Sequence, residues 1–597
     1  MYVVAGYISS HTMDPPINEL FDNEKPLGYK SSLIIKEEPF NLLIFSQKNE
    51  HYHKNTSFIF ETNNEQIFII AHIHNRSSLL KRFSLSPTTH DSEILFKAYK
   101  SNGIEGLKKC FGKWMFISYN KEQHKIRVIR DHLGMFNYYY SLVNYTFFFS
   151  TNIELLFGFK QITKDINFLH LAGLAVGYSG NGNETAYKQI FKVLPSSILE
   201  IKEGKLSSTP YWYPKFETSI TYKNTDDYYQ HFIELFTHIV SENLQNAGIV
   251  ASTLSSGLDS TFVTAVAAEI LNKKNKSLIA ITASPKYDDI TVKSKNRYGN
   301  EIPLAKLVAE KYSNITHIID KSIDTDPIDG LLKSIEIHSY PVRNAGNQYW
   351  IISMFEKLNK NNVNTLLIGQ MGNLTYSWPF FNPQNIKSQW KNKIRKIFFS
   401  QSPFYIKNSY LANTFIRQYK LVEYLKKSNY QPDYFSSNLT LMRKHFFRQM
   451  QNTGYSSWNE KANYYGINIL DPTADVRLIE FCFSLPQKLF KSDNGSRLFI
   501  RNAAQNILPD EILNNTKKAI QSADASRRLF DALYKYNDLL NVSFSNSLNH
   551  NLFDIELLIN DLKKKNLSTH VFLRSLLITL FVYFATNKTT LRKRKKS

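Results

Sequence analysis

From Gly248 onward, short apolar, β-branched runs alternate with segments of helical periodicity. Strand candidates at 249–254, 278–282, 316–319 and 365–368 alternate with helical segments that include 261–272 and 303–312. Strands separated by helices in this way form a parallel sheet with helices on both faces. The stretch IVASTLSSGLDSTFVTA, residues 249–265, places a small polar knot between the first strand and the first helix. Sheets of this class bind ligands beyond the carboxyl ends of their strands, and residues 254–260 fall there.

The residue types in that loop suit an anion. Gly257 lets the backbone approach a ligand, and Ser255, Ser256 and Ser260 offer hydroxyls. The backbone N–H groups from Leu258 to Thr261 open a helix, where unpaired donors and the helix dipole favour negative charge. Asp259 repels phosphate by itself and makes sense if it holds Mg²⁺ that bridges to phosphates. The plain alternative is a Ser/Gly turn capped by an aspartate. A Walker A loop is excluded, because no Gly-Lys-Ser/Thr follows four variable residues.

The chain has 597 residues, 43% hydrophobic and 21% charged, ordinary for a soluble globular protein with at least two cores. Residues 1–215 read as β-rich, with runs at Tyr2, Ser32, Gln66, Lys125 and Tyr145 between polar turns, and Tyr211-Trp212 closing the half. Residues 216–597 form the second expected domain, mostly helical beyond about residue 400, with an ambiguous stretch at 384–434. Two cysteines, Cys110 and Cys482, give no disulfide framework and no metal spacing, so a reducing cytoplasm is expected. The start of the chain lacks a signal-peptide pattern. The apolar stretch 575–585, preceded by Arg574, reads as a buried terminal helix too short to span a bilayer. The net charge of +22 is spread along the chain, dense only in the tail LRKRKKS, and reads as solvated surface, not a nucleic-acid footprint.

SSGLDS resembles the Ser-Gly-Gly-x-Asp-Ser loop of ATP pyrophosphatases that release AMP and pyrophosphate. Around it, RDHLGMFNYYYS (130–141), NETAYKQIFKVLPSS (183–197), LDPTADVRLIEFCFSLP (470–486) and SRLFIRNAAQNILPDEILNNTKK (496–518) resemble, in order, segments of the asparagine synthetase family. The resemblance implies an α/β protein: an α+β, Ntn-hydrolase-like sandwich in the first half, and a parallel-sheet ATP-pyrophosphatase domain with a helical C-terminal region. It implies ATP and Mg²⁺ as cofactors. Ser255, Gly257, Asp259 and Ser260 match the pyrophosphate loop, with Ser256 and Leu258 inside it, and Thr253 and Leu254 match adenine-contacting positions. The strand ends Thr282 and Ile368, with Gly369, complete the implied nucleotide site. Glu301 matches an acid near the phosphates, Lys517 the catalytic lysine and Arg497 a supporting cation, as Arg501 does.

Departures from the family pattern carry more information than the matches. The family loop Gly-Glu-Gly-Ala-Asp-Glu reads GQMGNL here, so Gln370 replaces a glutamate that helps deprotonate the amine. Asn373 replaces an aspartate that shares the metal with Asp259. An amide can offer oxygen to a metal but cannot act as a base. In the first half, Tyr2 stands where glutamine-using members have a nucleophilic cysteine, Ile70 and Ala71 replace an oxyanion Asn-Gly pair, and Phe111 replaces the aspartate that holds a substrate amine. The expectation is an ATP-dependent amide synthetase that uses no glutamine, with the lasso-peptide cyclases and β-lactam synthetases as the related branches. Its substrate would be a peptide or small carboxylate, its partners a precursor peptide and a processing protease. The alternatives are an asparagine synthetase fed by ammonia or an external glutaminase, and a non-catalytic scaffold.

Overall fold

The computed structural model describes residues 2–8, 29–47, 58–178, 180, 182–216, 220–245, 247–287, 296–378, 404–427, 438–453, 455–490, 497–564 and 569–587. The tail 591–597, Ser496 and much of 384–434 lie outside the described residues.

The first half contains two six-stranded antiparallel sheets. One runs in the order Phe191–Lys192, Tyr139–Val143, Thr146–Ser150, Tyr2–Ile8, Phe40–Gln47, Tyr29–Glu37; the other Lys205–Pro210, Ser197–Lys202, Lys125–Arg130, Gly112–Asn120, Glu65–Ile73, Ile59–Glu61. The sheets share a core built from Val4, Ile8, Leu42, Ile44, Phe68, Ile70, Met115, Ile117, Phe147 and Phe149. Strand Glu65–Ile73 buries both faces: Phe68 and Ile70 point between the sheets, Ile67 and Ile69 outward. Two buried faces explain why its sequence is a continuous apolar run where a half-exposed strand would alternate.

The outward face merges with the second half in one apolar cluster. There a five-stranded parallel sheet runs in the order Ile315–Asp320, Leu278–Ala283, Val250–Thr253, Thr365–Leu367, Asn468–Leu470. Helix Leu258–Asn272 follows the central strand and is buried along most of its length. Phe262 stacks on Phe232 at 5.5 Å and lies 4.8 Å from Phe236, both on helix Thr225–Asn243. Each such ring contributes about 1.5–3 kcal/mol by burial, which fixes the start of the helix against the sheet.

The fold is α/β as the sequence predicts. The region beyond residue 400 is mostly helical, as read, and also supplies the edge strand Asn468–Leu470, paired in parallel with Thr365–Leu367. The terminal helix spans Thr569–Thr586, longer than its apolar stretch predicts. By length and composition it could cross a membrane, but 56% of its window is buried in the protein. Its Phe572, Leu576, Leu577, Leu580 and Phe581 pack in a cluster with Ile328, Leu331 and Tyr187. Polar bonds also join the halves: Tyr139 donates to Glu460 Oε1 at 2.5 Å, and Trp212 Nε1 to Glu480 Oε1 at 3.0 Å.

Candidate active site

A cleft of about 590 Å³ opens at the carboxyl end of the parallel sheet, lined by residues 253–260 and by Glu301, Gly369, Gln370, Asn373, Arg497 and Lys517. The loop is braced internally. Ser255 Oγ lies 2.6 Å from Ser260 Oγ and accepts from Gly257 N at 3.1 Å, while Ser255 N donates to Ser260 Oγ at 3.0 Å. Gly257 caps helix Leu258–Asn272, leaving the first N–H groups of the helix at the cleft.

Glu301 acts on this loop from the next helix start. Its Oε2 accepts from Ser256 N at 3.0 Å, and burial raises its carboxyl above the usual range against that bond. Tyr298 donates to Ser256 Oγ at 2.5 Å and accepts from Asn515 Nδ2 at 3.1 Å, tying the loop to the segment that carries Lys517. Lys517 itself is exposed on the cleft wall. Lys518 stands beside it in a two-residue parallel bridge with Arg297 and Tyr298. Burial, then Arg497 and Arg297, lower the Lys518 ammonium below its ordinary value.

The loop after strand Thr365–Leu367 crosses directly over the helix start. A Cβ on Gly372 would lie 2.5 Å from Asp259 Oδ1, so only glycine permits this approach. Asp471, buried at the end of strand Asn468–Leu470, holds that loop. Its Oδ2 accepts from Gln370 N at 3.0 Å and from Tyr455 at 2.9 Å, and its Oδ1 accepts from Thr473 N at 3.0 Å. Met371 N donates to Thr473 Oγ1 at 2.9 Å. The Gln370 side chain is exposed to the cleft.

Thr282 and Ile368 do not line the cleft. Strand alternation turns Ile281 and Ala283 toward it, while Thr282 Oγ1 donates to Leu254 O at 2.8 Å and lies 2.8 Å from His317 Nε2. Ile368 is fully buried. Arg497 donates to Asn373 Oδ1 at 2.9 Å and stands 3.4 Å from Asp259 Oδ2, so a guanidinium already engages both groups. Asp259 Oδ1 is buried and makes no well-formed hydrogen bond among the described residues, with the Ser377 hydroxyl near the carboxyl. Burial raises the Asp259 carboxyl, while Arg497 and Ser377 pull it back. A buried carboxylate oxygen without a well-formed hydrogen bond fits a Mg²⁺ that arrives on phosphates and takes one or two protein ligands. Asp259 would hold it, while the Asn373 oxygen already accepts from Arg497.

Sequence reasoning misses Asp471, Tyr298 and His570. Asp471 lies in LDPTADVRL, within a segment that carries the family resemblance, but its bond to a loop a hundred positions away has no local signal. His570 lines the cleft from the terminal helix, and no motif marks it. Partial burial and Arg574 lower its imidazole below the ordinary value.

The degenerate positions of the first half fall at a second cavity, lined by Tyr2, Ile70 and Ala71 but not by Phe111. The Phe111 ring instead lies under the Arg477 guanidinium at 5.3 Å and beside His132 at 5.9 Å.

The family model for asparagine synthase matches residues 231–575, and that for the glutamine amidotransferase domain matches residues 55–212. Asparagine synthetase [glutamine-hydrolyzing] 3 of Bacillus subtilis is 22% identical over 74% of this chain and 72% of its own length. A putative asparagine synthetase [glutamine-hydrolyzing] 2 of Methanocaldococcus jannaschii is 25% identical over 41% of this chain and 46% of its own. Among solved structures, glutamine phosphoribosylpyrophosphate amidotransferase from B. subtilis aligns with a TM-score of 0.24 at 12% identity, over 62% of this chain and 85% of that one. That likeness is too low to carry an argument.

Proposed function

Because the chain belongs to the asparagine synthase family, whose members are ATP-dependent carbon–nitrogen ligases, we propose that it adenylates a carboxylate and joins it to an amine without using glutamine. The product we infer is a macrolactam, formed when a peptide's own amine attacks its activated Asp or Glu side chain, as in the lasso-peptide cyclases. The observation that carries this reading is a contrast. Ser255, Asp259, Ser260, Glu301 and Lys517 all line one cleft, while Tyr2, which stands where the resemblance expects a thiol nucleophile, lines the second cavity.

In this reading a carboxylate oxygen of the substrate attacks the α-phosphorus of ATP, and the bond to the β-phosphate oxygen breaks. Ser255, Ser260 and the backbone N–H groups at the helix start hold the departing pyrophosphate. Lys517 and Arg497 offset its charge as it develops, with the electrostatic advantage of a preorganised site. Mg²⁺ on Asp259, when bound, supplies further neutralisation of the phosphates. The amine then attacks the acyl carbon, the C–N bond forms, and AMP leaves with the oxygen it gained. His570 is the imidazole on the cleft wall among the described residues and takes the amine proton that Gln370 cannot. Carrying amine and carboxylate on one chain removes the cost of bringing two molecules together. The net charge of +22 suits an acidic peptide.

The second reading is an asparagine synthetase fed by free ammonia or an external glutaminase; the relatives' names favour the asparagine product but are those of glutamine-hydrolyzing enzymes. It is opposed by Gln370, because ammonium must lose a proton before it can attack. Pyrophosphate release decides between them: linear acidic peptide against aspartate plus ammonium, each with ATP and Mg²⁺. Release with peptide, with a product lighter by one water, supports the macrolactam. Asparagine from aspartate and ammonium overturns it. Release with neither, and no binding of ATP, returns the scaffold. In His570→Asn the peptide reaction falls by about 10²–10⁴-fold, the range for losing a general base.

A further inference from the structure

The second cavity, of about 540 Å³, lies at the junction of the two halves. Its volume is within the range of small-molecule sites. Sheet residues of the first half line it, together with Thr365, Asn459, Asn468 and Leu470 of the second. A ligand there would touch both halves.

The polar groups on its wall are buried and incompletely used. Lys113 is 5% exposed, and its Nζ donates to Asn459 Oδ1 at 3.3 Å and Asn468 Oδ1 at 3.1 Å, leaving one of its three N–H groups over. No carboxylate pairs with it among the described residues. Asp131, which acts on it through space, is committed to the backbone N–H groups of Leu133, Met135 and Phe136. Burial pushes the Lys113 ammonium down to about 7. His74 is 6% exposed, with Nε2 buried and without a partner among the described residues. Burial holds its imidazole neutral, with His72, Lys113 and Arg477 acting the same way and Asp91 against them. Both side-chain polar atoms of Asn243 are likewise buried without a partner among the described residues. Of the charged groups there, Arg76 pairs with Asp91, which also accepts from Ile73 N and faces His72, and Glu242 is bound by Arg477 at 2.7 Å.

A buried amine without a counter-ion and an idle imidazole on one cavity wall are costly unless something completes them. We propose that this cavity is a binding site for a small carboxylic acid, whose carboxylate takes the free N–H of Lys113 and the open nitrogen of His74. The chemistry is recognition without hydrolysis, since Tyr2 supplies no thiolate there. The proposal stands independently of the reaction assigned to the ATP cleft.

Titration calorimetry of the full-length protein with succinate tests it, with neutral succinamide as control. At pH 8 the amine is largely neutral and its two N–H groups serve Asn459 and Asn468, so an arriving carboxylate draws on a proton, which becomes the third N–H that it accepts. Saturable succinate heat at pH 8 should therefore carry net proton uptake, read by comparing two buffers of different ionisation enthalpy, and succinamide should give none. Lys113→Met should abolish the heat, and Asp259→Asn in the other cleft should leave it unchanged. Should Lys113→Met fail to fold, His74→Phe, which should weaken the heat, and the proton count on the unaltered protein decide. No saturable heat, binding without proton uptake, equal binding of succinamide, or loss of binding in Asp259→Asn overturns the proposal.

Discussion

The Arg497 guanidinium donates to the Asn373 amide oxygen across 2.9 Å, and its other arm stands 3.4 Å from Asp259. A built-in cation thus shares the space in which two carboxylates would otherwise compete for a metal. Asn373→Asp should let a second carboxylate join Asp259 and lower the Mg²⁺ concentration needed for half-maximal pyrophosphate formation, by about tenfold for each 1.4 kcal/mol gained. A Mg²⁺ titration of both proteins measures it; an unchanged or higher requirement contradicts the assignment.

Gly372→Ala drives a methyl group to 2.5 Å from Asp259 Oδ1. The crowding should cost about 1–3 kcal/mol and displace the carboxylate that would carry the metal. Urea unfolding reads the first effect, and ATP titration with and without Mg²⁺ reads the second. Weaker binding is expected chiefly in the presence of Mg²⁺.

Asp471 gives a pH signature. Burial raises its carboxyl to about 6, against hydrogen bonds from Thr473, Tyr455 and Gln370. The unfolded carboxyl titrates near about 3.9, so between these values the folded protein keeps a proton that the unfolded chain has lost. This contribution to stability is full below about pH 4, falls by about 1.4 kcal/mol for each pH unit as pH rises to about 6, and is flat above. Asp471→Asn should remove that slope from the stability profile, which unfolding measured at several pH values across this window would show.

Lys517 is exposed, and its ammonium has no hydrogen bond or ion pair among the described residues that a substitution would break. Lys517→Met should therefore leave stability within about 0.5 kcal/mol. Pyrophosphate formation should fall by about 10²–10³-fold, as for other lost charge-stabilising donors. Lys518→Met, whose backbone lies in the bridge beside Arg297, should have the smaller effect; the reverse order would move the catalytic role by one position.

The parts of the fold legible in the sequence are those with local signals. The alternation from Val250 to Leu367 and the polar knot at Ser255 to Ser260 sit where strand and helix periodicities predict them. Asn468–Leu470 is not legible, because three residues carry no period and become a strand only by pairing with Thr365–Leu367. The resemblance assigns Thr282 and Ile368 to the nucleotide, and both stand outside the cleft lining. The Arg497–Asn373 bond, the Asp471 brace and the Lys113 cavity join residues more than a hundred positions apart, which no window of a single sequence reveals.

Adenylation of the substrate carboxylate is the central claim, and the path of its oxygen tests it most directly. A linear acidic peptide carrying heavy oxygen in its side-chain carboxylate would be turned over with ATP and Mg²⁺, and the nucleotide and pyrophosphate weighed by mass spectrometry. One heavy oxygen in AMP and none in pyrophosphate is the predicted result. Label in phosphate or pyrophosphate, or unlabelled AMP beside a formed amide, would contradict it.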